Sequence, residues 1–249
     1  MSERGSIIPS GTVIPLQEHL IWKKDWDYLL VLDACRYDMF EELNDIEGDL
    51  IRVWSPAPHT QPWMRVVFGS SKTVRWDDTV VVSASQFSNN YASQFKAHRN
   101  CVLKDWDDEA DTISAKNINR AVLAELRGYP DDKMIIWYVQ PHVPFIGKTR
   151  IGHKEMKLNK TDLLTLELIA HDDRYGLDGA KQAYYENLEY VLEYVKELLP
   201  HLHGKIIITS DHGNYLGEGG FFGHERRRAN TVPVRLVPWL EVDLDESNK

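Results

Sequence analysis

Three apolar runs of strand length in this chain end directly on side chains that ligate metals or carry protons. Leu29-Leu30-Val31-Leu32 leads into Asp33, Met134-Ile135-Ile136-Trp137-Tyr138-Val139 leads through Gln140-Pro141 into His142, and Ile206-Ile207-Ile208-Thr209-Ser210 leads into Asp211-His212. Runs this continuous, without polar alternation and bounded by turn residues, mark strands buried on both faces, and such strands belong to parallel sheets sandwiched between helices. Open parallel sheets bind their ligands outside the carboxyl ends of the strands. The three tips are therefore expected to meet in space, bringing Asp33, His142, Asp211 and His212 into one site from distant parts of the sequence.

The remaining pattern agrees. Strands are expected at Tyr28 to Leu32, Ile51 to Trp54, Val80 to Ser83, Met134 to Val139 and Lys205 to Thr209. Helices are expected from about Arg36 to Leu43 and from Ala115 to Leu126, the latter closed by Gly128 and Pro130. Ala180, Ala183, Tyr184, Leu188, Val191, Val195 and Leu198 recur at helical spacing, which predicts an amphipathic helix over about 180–199 that stops at Pro200. A last strand is expected within Val232 to Val237, pushed to a sheet edge by Pro233 and Pro238, which lack the N–H a ladder needs. Strands alternating with longer helices make βαβ units. The predicted fold class is α/β: a single domain over residues 1–249, built on a mainly parallel sheet with helices on both faces.

Charge narrows the partners. With 29 Lys+Arg against 38 Asp+Glu the formal charge is −9, so no global basic field exists to neutralise the phosphates of a nucleic-acid duplex. A small anionic substrate remains open. No stretch approaches the roughly 20 apolar residues that span a bilayer, and the first residues lack the basic-then-apolar order of a secretory signal. A soluble, cytoplasmic protein without a transmembrane segment is the expectation. Cys35 and Cys101 are the only cysteines and no CxxC or Cys/His ladder is present, so neither a disulfide framework nor a structural zinc module is indicated. Cys35 reads as a small packing residue.

Two carboxylates and imidazoles at converging strand ends offer mixed oxygen and nitrogen ligation, which suits Zn²⁺ or Mn²⁺ better than Ca²⁺ or Mg²⁺. Asp211 and His212, adjacent on a turn, can approach one ion from two sides.

Four ordered segments resemble the motifs of the alkaline phosphatase/sulfatase superfamily, on its sulfatase-like branch, in the manner of small sulfatase-like proteins common in prokaryotes and notably archaea. Leu32-Asp33 resembles the first metal-ligand motif. Ser55-Pro56-Ala57-Pro58-His59-Thr60-Gln61-Pro62-Trp63-Met64 resembles the nucleophile segment, and Pro141-His142-Val143-Pro144-Phe145 the substrate-side His-x-Pro motif. Thr209-Ser210-Asp211-His212-Gly213, continued by Leu216-Gly217-Glu218 and Phe222-Gly223-His224, is the most specific match. The resemblance covers nearly the whole chain and implies an alkaline phosphatase-like fold, with Asp33, Thr60, Asp211 and His212 around a metal.

Thr60 stands where sulfatases carry the cysteine that becomes formylglycine in Cys-x-Pro-x-Arg, and Arg65 falls one position late. Threonine cannot be converted to formylglycine. In related phosphatases, phosphodiesterases and lipid-head-group phosphotransferases, a Thr or Ser fills this place as a metal-activated nucleophile. Asp33 is followed by Ala34 rather than by a second, calcium-binding aspartate, which again favours Zn²⁺ or Mn²⁺. The Asp-x-x-x-His pair of two-metal members is missing, so one tightly bound ion is expected. A second would need irregular ligands such as His153 or His171-Asp172-Asp173, carried over the site by the 147–179 connection.

The resemblance implies a metal-dependent hydrolase or phosphotransferase acting on phosphate mono- or diesters. Thr60 would attack, and His142 and His224 would contact the transferred group. Arg36 and Lys148 are further candidates for binding the substrate, a small anionic ester or a glycan or lipid head group. The competing functions are a sulfate-ester hydrolase and a catalytically silent member of the fold. Taken singly, Asp33 could be a turn former and Thr60 an N-cap with Pro62 in its first turn. Trp63 could wall a substrate pocket, and Arg226-Arg227-Arg228 could be a solvated turn or an anion anchor. His19, His98, His201 and His203 read as surface residues.

Overall fold

The computed structural model describes residues 13–23, 25–69, 75–224 and 230–245. The chain runs through α1 (Gln17–Lys23), β1 (Tyr28–Asp33), α2 (Tyr37–Leu43), β2 (Asp49–Trp54), α3 (Thr60–Gly69) and β3 (Trp76–Ser83). A 3₁₀ segment (Gln86–Gln94) leads to β4 (Phe95–Asn100), α4 (Cys101–Lys104), α5 (Ala115–Leu126) and β5 (Lys133–Pro141). Then come α6 (Leu166–Ala170), α7 (Gly176–Leu198), β6 (Lys205–Ser210), the hairpin strands β7 (Tyr215–Leu216) and β8 (Phe222–Gly223), α8 (Val232–Arg235) and β9 (Leu236–Asp243).

Seven strands form one sheet in the order β2-β9-β6-β1-β5-β3-β4. From β6 to β4 all neighbours are parallel, while β9 is antiparallel to both β2 and β6. This is the mainly parallel α/β sheet expected from the apolar runs, and both of its faces are covered. Leu30, Leu32, Val80, Val82, Ile136 and Ile208 face a layer that includes Phe40 of α2, Ile118 and Val122 of α5, and Tyr184, Leu188 and Val191 of α7. Their strand neighbours Leu29, Val31, Val81, Ile135, Trp137 and Ile207 face the opposite layer, with Ile21 of α1 and Trp63, Met64, Val67 and Phe68 of α3. A strand covered on both faces has no use for polar alternation, hence the continuous runs. Each such Leu, Ile or Val contributes about 1.5–3 kcal/mol by its burial.

Two expectations are corrected. Residues 232–235 form a single helical turn, α8, with Pro233 in its first turn, where a missing N–H costs nothing. The strand begins only at Leu236 and lies between β2 and β6 rather than at an edge. Pro238 sits within it opposite Arg52, and the Thr209 hydroxyl donates to the Pro238 carbonyl at 2.5 Å, tying β6 to β9 there. The edge beyond β3 is instead β4, in a stretch for which the apolar runs predict no strand. Its sequence, Phe95-Lys96-Ala97-His98-Arg99-Asn100, is as polar as an edge strand with one protected face requires. Among the described residues no helix is long and apolar enough to cross a membrane.

Candidate active site

Because β1 lies between β5 and β6, the three motif-bearing strands end side by side. Asp33 closes β1, Asp211 and His212 follow β6, and His142 follows β5. Thr60 arrives from the fourth direction as the first residue of α3. The Trp63 N–H donates to the His59 carbonyl at 3.0 Å, so His59 occupies the N-cap position and Thr60 the first helical one, a shift of one residue from the cap reading. Pro62 fits the first turn, where no intrahelical partner exists for its absent N–H.

The Thr60 hydroxyl donates to Asp211 Oδ2 at 2.7 Å and lies 3.5 Å from both Asp33 Oδ2 and His212 Nε2. His212 Nε2 is 3.3 Å from Asp211 Oδ2 and 3.7 Å from Asp33 Oδ1. Asp211 is aimed by the backbone. Its Oδ1 accepts the N–H groups of Ala34 at 3.1 Å and His212 at 2.9 Å, leaving Oδ2 to face Thr60. Ala34 holds a left-handed φ of +62°, a conformation that costs an L-residue about 1–2 kcal/mol. Its surroundings fix it: Tyr184 Oη donates to the Ala34 carbonyl at 2.5 Å, and the Cys35 N–H donates to Ser210 Oγ at 2.8 Å. Backbone strain held in this way is a common property of functional turns.

The imidazoles are oriented too. His212 Nδ1 lies 2.9 Å from the Gly213 carbonyl, which places the ring proton on Nδ1 and turns the Nε2 lone pair to the carboxylates, the tautomer a metal ligand needs. His142 Nδ1 pairs in the same manner with the Val143 carbonyl at 2.8 Å. Asn187 of α7 pins that turn by donating to the carbonyls of Pro141 and His142, each at 3.1 Å. His224 Nδ1 meets Asn214 Oδ1 at 2.9 Å, and its ring centroid lies 4.4 Å from His212, 4.8 Å from His59 and 5.6 Å from His142.

Burial and the neighbouring Asp211 charge hold the Asp33 carboxyl well above the usual carboxylate range, against the opposing hydrogen bonds of Trp137 and Thr60. Burial pushes His142 and His224 below the usual imidazole range. Two carboxylates crowded together with little water are a donor set that a divalent cation neutralises. Asp33, Asp211 and His212 each offer a ligand atom within 4.8 Å of the others, and among the described residues they are the only such group of three or more. Two oxygens and one nitrogen fit Zn²⁺ or Mn²⁺.

Thr60, Asp33, His142 and His224 open onto one cavity of about 810 Å³, whose far wall carries Arg65, Ser85, Phe87 and Tyr91. The structure thus brings Asp33, Thr60, His142, Asp211, His212 and His224 together. His59 belongs with them, although nothing in its sequence position beyond adjacency to Thr60 singled it out.

Other candidates lie elsewhere. The Arg36 guanidinium forks onto Asp38 at 2.9 and 2.6 Å, donates to the Asn214 carbonyl at 3.2 Å and pairs with Glu218. It ties the β1 tip to the hairpin segment and does not line the Thr60 cavity. Lys148 lines a different cavity beside Glu189, 3.3 Å away. His153 pairs with Asp111 at 3.0 Å, and the His171 ring packs on Phe222 at 5.3 Å, so neither supplies a second metal cluster. Trp63 is a core residue whose Nε1–H donates to Gln17 Oε1 at 2.8 Å, not a pocket wall. Cys35 is buried, as a packing residue is. His98 is half-buried rather than superficial and lies 2.8 Å from Ser88 Oγ. Arg226-Arg227-Arg228 fall outside the described residues.

The chain carries a hydroxyl-bearing helix start and an Asp/Asp/His cluster at the strand tips of a mainly parallel sheet, and its fold is alkaline phosphatase-like. The family model of the Metalloenzyme superfamily matches residues 110–217. The C-terminal periplasmic domain of phosphoethanolamine transferase EptC from Campylobacter jejuni superimposes with a TM-score of 0.58 at 17% identity, over 90% of this chain and 80% of that domain. The corresponding EptC domain from Escherichia coli, solved as a complex with Zn, gives 0.54 at 12% identity, over 89% and 74%. A 2-O GAG sulfatase gives 0.59 at 12% identity, over 89% of this chain and 64% of the sulfatase. No curated protein matches the sequence.

Proposed function

We propose that the chain is a metal-dependent phosphoric ester hydrolase or phosphotransferase with Thr60 as its nucleophile. The observation that carries this is the Thr60 hydroxyl, held 2.7 Å from Asp211 Oδ2 and 3.5 Å from Asp33 Oδ2 and His212 Nε2 at the start of a helix. Asp33, Asp211 and His212, together with Thr60 itself, would hold one Zn²⁺ or Mn²⁺. When bound, such an ion lowers the proton affinity of a coordinated hydroxyl and offsets charge on a phosphoryl group.

Thr60 Oγ1 attacks phosphorus in line with the leaving oxygen. The new Oγ1–P bond forms as the P–O bond to the leaving group breaks, and the proton given up by the Thr60 hydroxyl reaches the leaving oxygen by way of water in the open cavity. The N–H groups of Thr60 and Gln61, without intrahelical partners, attract the phosphoryl oxygens. His142 and His224 flank the transferred group, where charge accumulates in the transition state. Water or an acceptor alcohol then takes the phosphoryl group from Thr60.

The shared fold with phosphoethanolamine transferases, one of them zinc-bound, supports phosphoryl transfer and zinc. The shared fold with a sulfatase supports sulfate esters as the second reading. Thr60 favours the phosphate ester, since it cannot become formylglycine and a threonine ester must be relieved by a second attack at the transferred centre. Steady-state kinetics of Zn²⁺- or Mn²⁺-loaded protein on an aryl phosphate, an aryl phosphodiester and an aryl sulfate with one common leaving group is the test. At least a roughly 10-fold preference in kcat/KM for a phosphate ester is expected, about 1.4 kcal/mol of transition-state stabilisation. A faster sulfate ester, or no turnover of any of the three, overturns it.

A further inference from the structure

We infer that the substrate of this site carries a hydrocarbon substituent, seated in a second pocket that shares His142 and His224 with the Thr60 cavity. The inference rests on the phosphoester reading and names the part of the substrate beyond the phosphoryl group.

The second pocket, about 300 Å³, is lined by Val143, Phe145, Leu163, Leu164, Leu166 and Phe222 around those two histidines. Its chemistry contrasts with the Thr60 cavity, where Asp33, His59, Gln61, Arg65 and Ser85 contribute polar atoms. Among the described residues no Lys or Arg lines the apolar pocket and its one charged side chain is the carboxylate of Glu167, which disfavours a second phosphate or a carboxylate entering it. Most polar side chains of its lining are committed: Thr165 Oγ1 accepts the Leu168 N–H at 3.2 Å, Asn214 Oδ1 is engaged by His224 and Tyr184 Oη donates to the Ala34 carbonyl, while Glu167 is exposed. A sugar or nucleobase there would leave most of its polar atoms unpaired. A hydrocarbon would not.

The apolar character continues outward. Leu163 is 78% exposed, and Leu168 and Leu177 are also exposed. Leu177 packs against Gly217, where an added Cβ would stand 2.7 Å from Leu177 Cδ1, so α7 meets the turn that leads to β8 and Phe222. Leu163 both lines the pocket and stands largely in solvent, so apolar surface runs from the pocket outward, as it does at binding sites. With His142 and His224 common to both cavities, a phosphoryl group beside Thr60 can send one substituent into the apolar pocket and another toward Arg65 and Tyr91. The volume is at the small end for ligand sites and suits a short alkyl chain or one ring.

The test is calorimetric titration of zinc-loaded protein with non-cleavable phosphonates: methyl, butyl, hexyl, octyl and phenyl. The dissociation constant is expected to fall roughly two- to fourfold for each methylene buried, then level off once the pocket is full. Phenylphosphonate binding more tightly than methylphosphonate supports the same pocket for a ring. Leu163→Glu and Leu163→Gln, at an exposed position of the pocket lining, should each flatten the series while leaving methylphosphonate affinity within about twofold of wild type, a built-in check on folding. Equal affinity for methyl- and hexylphosphonate overturns the hydrocarbon inference alone. No binding of methylphosphonate to zinc-loaded protein overturns the phosphoester reading and the inference with it.

Discussion

The Thr60 hydroxyl donates to Asp211 Oδ2 at 2.7 Å across 151 residues of sequence. Asp211 can accept it because its other oxygen is already held by two backbone N–H groups, so the contact is fixed from both ends. Thr60→Ala is expected to leave the fold and most of the zinc affinity in place while turnover falls at least about 10³-fold, because the proposed nucleophile is gone but the three proposed ligands remain. Thr60→Ser should restore a measurable fraction. Full activity in Thr60→Ala would redirect the chemistry to a water nucleophile.

Asp211 has two opposed effects on stability. Without metal it repels Asp33, so Asp211→Asn should make the metal-free protein more stable, by about 1 kcal/mol. With zinc the sign reverses, since the variant loses an anionic ligand and with it the stabilisation that binding confers. Melting temperatures with and without zinc, paired with elemental analysis, check both signs. Zinc content near one equivalent (on the order of one) is expected for wild type and little for the variant.

Arg36 is expected to matter for stability. Its side chain is 11% exposed and serves Asp38 and Glu218, both partly solvated, so Arg36→Gln should cost about 1–3 kcal/mol in urea unfolding. Lys148→Ala, beside an unrelated cavity, should change neither stability by more than about 0.5 kcal/mol nor turnover.

Gly213 follows His212, and a Cβ there would stand 2.2 Å from the Pro233 carbonyl and 3.2 Å from the Arg36 side chain. Its own N–H donates to the Val234 carbonyl at 2.7 Å. Gly213→Ala must therefore push α8 away from the metal-ligand turn, and a loss of about 1–3 kcal/mol is expected together with weaker zinc binding. Unchanged zinc affinity would show that this turn tolerates displacement.

Burial holds His98 below its usual range. The folded chain therefore takes up the ring proton at a lower pH than the unfolded chain, whose imidazole does so near pH 6.5. Its contribution to stability is complete above that value and is lost as pH falls through it. Melting temperatures of wild type and His98→Gln between pH 7.5 and 5.5 should converge toward the acid end, and parallel profiles would count against the assignment.

Elements whose cause is local were legible in the sequence. The spacing from Ala180 to Leu198 builds α7, and all seven apolar positions of that stripe are buried. Ala115 and Leu126 bound α5 as their flanking signals require. The convergence of Asp33, Thr60, His142, Asp211, His212 and His224 was also legible, because parallel strands place their carboxyl ends on one edge and the motif order supplied the rest. Less local features escaped. The polar composition of β4 hid a strand that needs only one covered face, and Arg65, Phe87 and Tyr91 have no shared pattern that would place them on one cavity wall.

The sequence by itself determined the strands β1, β2, β3, β5 and β6, the helices α2, α5 and α7, and which side chains stand at the strand tips, because apolar periodicity and backbone propensity act over a few residues. Only the tertiary structure decided that β9 lies inside the sheet despite Pro238, that Arg36 is engaged by Asp38 and Glu218, that His59 joins the histidine cluster, and that His142 and His224 separate a polar cavity from an apolar one. Those outcomes depend on strand pairing, ion-pair partners and ring packing between residues far apart in the chain, and such contacts exist only once the sheet has assembled.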